Sequence, residues 1–180
     1  MINVKVKIDD KDIFKEYMKQ NASLFVGYTQ NKKYDAIDEP FYANVAKPNT
    51  KGDWGEKVGK PRLFGKRPAI TAVEVALANE FGGKNRPPRP FVRYCIRKNM
   101  RKWLRYFDKT WLQYPDIAQT MWKLGNKIRG DLSATVWAWS TPPNSPRTIK
   151  KKGFNNPLVD SGNMAGDFIE IEVNGKGADI

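Results

Sequence analysis

Residues 78 to 93 read ANEFGGKNRPPRPFVR, and this stretch separates two helical patterns. The apolar spacing before it predicts a helix from Thr71 to Phe81, with the Phe81 ring in the core. Gly82-Gly83 should end that helix, because glycine readily adopts the left-handed conformation found at helix ends. The prolines that follow favour an extended backbone, since each one restricts the residue before it. The stretch therefore predicts a stiff, extended entry into a second helix that begins at Phe91.

The second helix, predicted from Phe91 to Trp111, has one apolar and one basic face. At about 100° per residue, the apolar arc comprises Val92, Ile96, Met100, Trp103, Leu104, Phe107 and Trp111. The opposite arc comprises Arg93, Arg97, Lys98, Arg101, Lys102, Arg105 and Lys109. A third helix is predicted from Pro115 to Trp139, before Pro142-Pro143 ends the helical pattern. Its apolar residues keep a spacing of three or four and are Ile117, Met121, Leu124, Ile128, Leu132 and Val136.

Strands are predicted at residues 2 to 8 and 168 to 173, where apolar and polar residues alternate, and a further short strand is predicted at residues 24 to 28. Another helix is predicted from Asp9-Asp10 to about Gln20. This mixture predicts an α+β fold, in which a small antiparallel β-sheet packs against two or three amphipathic helices. The length of 180 residues suits a single domain over residues 1 to 180.

Two segments are expected to lie outside the core. Residues 30 to 68 contain prolines, glycines and charged residues with no sustained period, which predicts a long, irregular loop or arm. The aromatic residues within it indicate an arm or hairpin that becomes ordered against another surface; they are Tyr34, Phe41, Tyr42, Trp54 and Phe64. The glycine-rich residues 174 to 180 are predicted to form a flexible tail.

The composition argues against catalysis. With a single cysteine, Cys95, and no histidine, the chain can form neither an intramolecular disulfide nor a Cys/His zinc site. The commonest general base near neutral pH is also missing. Asp9-Asp10 suits a helix N-terminus and Asp38-Glu39 a polar loop, so neither pair is predicted to bind a metal. We therefore expect no enzyme activity, no catalytic residues, no metal and no cofactor. A carboxylate-dependent enzyme such as a metal-dependent nuclease is the disfavoured alternative.

The net charge of +13 is concentrated in two places. Residues 84 to 109 carry ten Lys/Arg against one acid, and Arg147 with Lys150, Lys151 and Lys152 adds four more positive charges. Seven cations on one helix face repel each other unless something negative approaches. The alternatives for such a partner are nucleic-acid phosphate and an acidic protein surface; a fully solvated face is the remaining interpretation.

No apolar run approaches the roughly 20 residues that a membrane-spanning helix needs. The alternating N-terminal sequence also lacks the hydrophobic stretch of a signal peptide. The sequence therefore predicts a protein that is made in a cytoplasm and stays there unless something carries it out.

Taken in order, several short motifs resemble the neck and tail-completion proteins of long-tailed bacteriophages. The family pattern runs from (Ala/His)-Glu-Phe-Gly through Pro-x-Arg-Pro-Phe-x-Arg and two helices to Pro-Pro-(Asn/Leu), Thr-Ile, Lys-Gly, Pro-Leu-(Ile/Val)-Asp-(Thr/Ser)-Gly and a closing strand. The match covers about residues 70 to 173, although Asn79 stands where a histidine is common. The matching residues are Glu80-Phe81-Gly82, Arg89-Pro90-Phe91 with Arg93, Pro142-Pro143-Asn144, Thr148-Ile149-Lys150, Gly153, and Pro157-Leu158-Val159-Asp160-Ser161-Gly162.

The resemblance implies a non-enzymatic structural protein of the virion, made in the bacterial host cytoplasm and built into the head–tail neck or the top of the tail. It implies a homo-oligomeric ring, a hexamer by that resemblance, which contacts other neck and tail proteins but no membrane; DNA passing through the ring is the other candidate partner. A tail terminator or another neck component is the alternative role, and a basic nucleic-acid-binding protein is the alternative from another class. The expected inter-subunit contacts are Glu80, Arg89, Arg93, Arg97, Arg101, Arg105, Lys150, Lys151 and Lys152.

Overall fold

The computed structural model describes residues 22–39, 41–46, 58–64, 66–84 and 86–175. Within these ranges helices and antiparallel strands occur together, which confirms the predicted α+β class. The strand predicted at residues 2 to 8 and the helix predicted from Asp9-Asp10 to Gln20 lie outside the described residues. No helix in the described part of the chain is long and apolar enough to cross a membrane.

The helices within these ranges are α1 (Ala72–Phe81), α2 (Phe91–Gln113), α3 (Ile117–Ala138) and α4 (Pro146–Lys152), with a short 3-10 helix at Asn163–Ala165. The strands are β1 (Ala22–Gly27), β2 (Lys33–Tyr34), β3 (Phe41–Ala46), β4 (Val58–Phe64), β5 (Ile70–Thr71) and β6 (Glu170–Gly175). Helices α1, α2 and α3 confirm the three predictions from periodicity. Helix α3 begins after Pro115 because Asp116 caps it, with its Oδ1 accepting the backbone N–H of Gln119 at 2.9 Å.

The strands form antiparallel pairs: β1 with β6, β2 with β5, and β3 with β4. Strands β2, β3 and β4 all lie between residues 30 and 68. The antiparallel pairing of β3 with β4 agrees with the hairpin alternative for this segment, whereas a wholly irregular loop does not fit. The individual strands were missed because proline interrupts the alternation of apolar and polar residues in β4. This residue, Pro61, pairs with Asn44 beside a register shift. Strand β6 includes Asn174 and Gly175, which the sequence had placed in a flexible tail.

The chain divides into two compact units. In the first, β1 pairs with β6 from Ala22 opposite Gly175 to Gly27 opposite Glu170. Helix α3 approaches this pair closely at Gly125, where an added Cβ would lie 2.7 Å from Cγ2 of Ile171. The core of this unit is made by large side chains of α2 and α3, namely Trp103, Phe107, Met121, Leu124 and Ile128.

Helix α2 has the predicted two faces, but its buried stripe is shifted. All seven cations of the basic arc are exposed, as predicted. Leu104, which belongs to the predicted apolar arc, is 43% exposed. The buried stripe instead follows Phe91, Cys95, Asn99, Trp103, Phe107 and Thr110. Two of these residues are polar, and each satisfies its side chain on its own helix: Asn99 donates to the Cys95 carbonyl at 3.1 Å and Thr110 to the Tyr106 carbonyl at 2.7 Å.

Candidate functional site

The second unit contains most of the motif residues, among them Glu80. Glu80 lies on the last turn of α1 and is only 5% exposed. Its carboxylate accepts the backbone N–H groups of Val92 at 3.0 Å and Arg93 at 3.3 Å, both in the first turn of α2. The Arg93 Nε also donates to it at 2.8 Å. A helix N-terminus has free N–H groups and partial positive charge. Glu80 therefore joins the end of α1 to the start of α2.

The turn at Gly82 makes this arrangement possible. Gly82 has φ of 74°, a left-handed value that favours glycine. A Cβ at this position would lie 2.6 Å from the carbonyl oxygen of Arg86 and 2.7 Å from the nitrogen of Pro88. Gly83 and Arg86 then close a tight turn through two backbone hydrogen bonds, of 2.9 and 3.0 Å. The predicted helix stop is thus confirmed, and a side chain at Gly82 would collide with rigid backbone.

Arg89 connects the proline-rich entry to two other motif segments. Its backbone N–H donates to the Asn79 carbonyl at 2.7 Å, and its Nε donates to the Pro142 carbonyl at 3.2 Å. Arg89 is 7% exposed. Burial, with a smaller contribution from the nearby charge of Arg86, lowers the pKa of its guanidinium. Arg89 therefore links the end of α1 and the segment at Pro142 through hydrogen bonds within the chain.

The buried Asn156 side chain makes four hydrogen bonds in this unit. Its Nδ2 donates to the carbonyls of Val136 at 3.4 Å and Trp137 at 2.7 Å, near the C-terminal end of α3. Its Oδ1 accepts the N–H groups of Leu158 at 3.0 Å and Val159 at 3.1 Å. One side chain thus ends a helix and fixes the Pro157–Gly162 motif. Sequence reasoning missed it; the available signal was an asparagine directly before proline, where local turns are common.

Two further contacts complete the cluster. Asn144 of the Pro-Pro-Asn motif donates to the Asn156 carbonyl at 3.1 Å. The Asn79 Nδ2 lies 3.8 Å from the sulfur of Met164, and the Met164 carbonyl accepts the Tyr28 hydroxyl at 2.7 Å. Motif stretches that are far apart in sequence therefore meet within one hydrogen-bonded cluster.

Tyr34 lies beside the Pro157–Gly162 motif. Its ring packs edge-on against Phe168, with ring centres 4.7 Å apart, and the Arg67 guanidinium lies 5.2 Å from its centre. Burial and the negative charge of Asp160 raise the pKa of Tyr34 to about 12, although Arg67 and a hydrogen bond with Ser161 act in the opposite direction.

This raised pKa predicts a loss of stability in strong base. An unfolded tyrosine loses its proton near pH 10, whereas folded Tyr34 keeps it until about pH 12. Raising the pH from 10 to 12 therefore favours the unfolded chain, by on the order of 2 kcal/mol. Urea unfolding at pH 9 and pH 11.5 measures this loss. Tyr34→Phe, which cannot ionise, should lose less stability between the two pH values; equal losses in both proteins would contradict the prediction.

The predicted site residues occupy different environments. Of the three predicted contacts near the start of α2, Glu80 and Arg89 are buried inside the chain. The third, Arg93, has 56% of its side chain accessible. Arg97, Arg101 and Arg105 are exposed on α2 in the first unit. Lys150 and Lys151 are exposed on α4, whereas Lys152 donates to the Asn156 carbonyl at 2.8 Å. The structure thus brings Glu80 and Arg93 together and uses Lys152 within the fold.

Helix α1 has an inverted distribution of polar and apolar residues. Its buried residues are Ala72, Ala76, Asn79 and Glu80. Leu77 is 51% exposed and Phe81 is 64% exposed. The prediction that Phe81 fills the core was therefore wrong, because the Glu80 hydrogen bonds turn that face of the helix inward. The Arg93 guanidinium lies over the outer Phe81 ring, 5.1 Å from its centre.

In the described ranges, no group of three or more acidic or cysteine side chains is placed to hold a metal ion. Comparison with known protein families, with curated proteins and with solved structures finds no match for this chain.

Proposed function

We propose that this protein is a structural subunit of a tailed-bacteriophage virion, which forms an oligomeric ring at the head–tail neck or at the top of the tail. The observation that carries the proposal is the convergence of the motif stretches that resemble this family. Glu80 contacts the start of α2, Arg89 contacts Pro142, and Asn144 contacts the Pro157–Gly162 region through Asn156. Residues that contact one another depend on one another, so the stretches of one family pattern are expected to meet in the fold. The motif stretches of this chain do meet.

The same contacts suggest how the motif works. Hydrogen bonds within the chain are formed by the side chains of Glu80, Arg89 and Asn156. Buried polar side chains of this kind stabilise a fold. Surfaces that meet neighbouring subunits, other neck and tail proteins or DNA would then lie on exposed residues around this cluster. Tail completion is the proposed role; a tail terminator or another neck component is the alternative within the same class.

A second candidate function is nucleic-acid binding by the basic face of α2. The observation that favours it is the exposure of all seven cations on that face, over a helix of 23 residues. Phosphate contacts through Lys and Arg release counterions, so affinity for DNA would fall steeply with salt. Protein–protein ring contacts with an apolar component would depend on salt much less.

Light scattering after size exclusion tests the proposed function. We expect a closed oligomer at micromolar concentration that persists when salt is raised. A monomer that binds duplex DNA tightly, with an affinity that falls steeply with salt, would replace the ring proposal with the nucleic-acid one.

Charge reversal on α2 provides the matching prediction. Arg97→Glu, Arg101→Glu and Arg105→Glu together should leave the fold intact, because exposed charges contribute little to stability. The triple variant should lose ring formation or docking onto neck proteins, since it places acid against a negative partner surface. Electron microscopy of particles made with the variant measures this effect. If DNA in the ring is the partner, rings form normally and DNA retention fails.

A control with the same change in net charge reverses Arg147, Lys150 and Lys151 on α4. Equal effects from both triple variants would mean that total charge matters and the α2 face does not. Normal particles and normal infectivity with the α2 variant would show that this face is merely solvated.

A further inference from the structure

The outer face of α1 consists of Glu74, Leu77 and Phe81, together with the Arg93 guanidinium that lies over the Phe81 ring. Residues 74, 77 and 81 are spaced by three and four positions, so they form one stripe along the helix. Leu77 and Phe81 are both more than half exposed. Two large apolar side chains that lie side by side on the outside of a helix, with charged groups at both ends, are typical of a surface that meets another molecule.

The exposure of this face is built into the fold. Turning α1 about its axis to bury Phe81 would pull the Glu80 carboxylate away from Val92 and Arg93. It would also remove the Asn79 side chain from the Met164 sulfur and disturb the Gly82 turn. A buried carboxylate without its donors is strongly unfavourable. The subunit alone therefore cannot cover Leu77 and Phe81 by a simple rotation of α1.

We propose that the outer face of α1 binds the same face of a second copy of this chain, with the two α1 helices antiparallel across a two-fold axis. The inference goes beyond the ring proposal and does not depend on it. Each copy would place its Leu77 and Phe81 against those of the other, where both apolar side chains leave water.

The charges at the two ends of the stripe select the antiparallel direction. Glu74 lies in the first turn of α1, and the Arg93 guanidinium lies at the other end, over Phe81. The two ends are separated by seven residues, which is about 10 Å along a helix. A two-fold axis near Leu77 brings Glu74 of each copy opposite Arg93 of the other copy. A parallel arrangement would instead set Glu74 against Glu74 and Arg93 against Arg93, which costs free energy.

The size of the face predicts the strength and symmetry of the contact. One helix of 10 residues offers less surface than the roughly 800 Å² per partner of a standard stable interface. The pairing should therefore be weak alone and depend on protein concentration. A two-fold contact closes at two copies. A ring that contains it needs a second kind of contact and holds an even number of subunits.

Cross-linking through an introduced thiol tests the pairing. Leu77→Cys places a thiol near the proposed axis, and the single native cysteine, Cys95, is buried, so its background reaction should be small. A short bis-maleimide should convert Leu77→Cys to a covalent dimer at high protein concentration. The matched control is Leu112→Cys on α2, because Leu112, at 80%, is the most exposed large apolar residue among the described side chains. It should give at least tenfold less dimer.

Two further variants examine the chemistry of the contact. Adding Phe81→Ser to Leu77→Cys should remove most of the cross-link, with the circular dichroism spectrum unchanged because Phe81 is exposed. Adding Glu74→Gln should also reduce it, since the negative charge opposite Arg93 is lost while the capping box with Thr71 is kept. Equal cross-linking at Leu77 and Leu112, or none at Leu77, would overturn the inference. Rings that form without a cross-link at Leu77 would overturn this inference alone and leave the proposed function standing.

Discussion

Replacing Glu80 with alanine should destabilise the second unit by about 3 kcal/mol, the largest effect that we expect from a single substitution. The variant loses the acceptor for two backbone N–H groups at the start of α2 and the partner of the Arg93 guanidinium. The Arg93 side chain is half exposed, so the lost ion pair contributes less than the lost helix contacts. Denaturant unfolding, followed by circular dichroism, measures the change.

Glu74→Gln is the matched control for this substitution. Glu74 is an exposed carboxylate on the same helix and forms a capping box with Thr71, in which glutamine can substitute for glutamate. We expect a change within about 0.5 kcal/mol. Similar losses in Glu80→Ala and Glu74→Gln would show that Glu80 acts as an ordinary surface acid.

Replacing Asn156 with alanine should cost about 2 to 3 kcal/mol, because two carbonyls and two N–H groups lose their buried partner together. The carbonyls belong to the end of α3 and the N–H groups to Leu158 and Val159. We expect the Pro157–Gly162 segment to exchange its amide hydrogens faster in the variant. Hydrogen exchange therefore reports the local effect, and thermal unfolding reports the global one.

The neighbouring asparagine provides the control. Asn155 is exposed, and its side chain accepts one hydrogen bond, from the Asn144 N–H at 3.0 Å. Asn155→Ala should cost about 1 kcal/mol, the value for one hydrogen bond. A loss at Asn155 as large as that at Asn156 would contradict the role assigned to Asn156.

The helices were predictable because their periodic patterns are long. Helix α2 spans more than six turns, and its basic and apolar arcs identify it without knowledge of its surroundings. Strand β6 was predictable as an element from its alternating pattern, and β1 from a short run of apolar residues. Strands β3 and β4 were not, since Gly59, Pro61 and a register shift interrupt the alternation.

The orientation of α1 could not be predicted, because it is decided by distant residues. Composition alone favours burial of Phe81 and exposure of Glu80. The structure reverses this order, since the start of α2 supplies two N–H groups to Glu80. Similarly, Asn99 is buried whereas Leu104 is exposed. The burial of Asn99 is possible because its side-chain amide donates a hydrogen bond to the Cys95 carbonyl on the same helix. Local propensity contains no information about such partners.

The pairing of β1 with β6 has a consequence for how the chain is synthesised. The ribosome releases a protein from its N-terminal end, so Ala22–Gly27 emerges long before Glu170–Gly175. Throughout that interval the edge of β1 that pairs with β6 lacks this partner, and open strand edges pair readily with other strands. A nascent chain that stalls before Glu170 therefore exposes a strand edge that can pair with another chain. Translation speed and chaperone supply should influence the yield of this protein more than that of a domain whose neighbouring strands are consecutive in sequence.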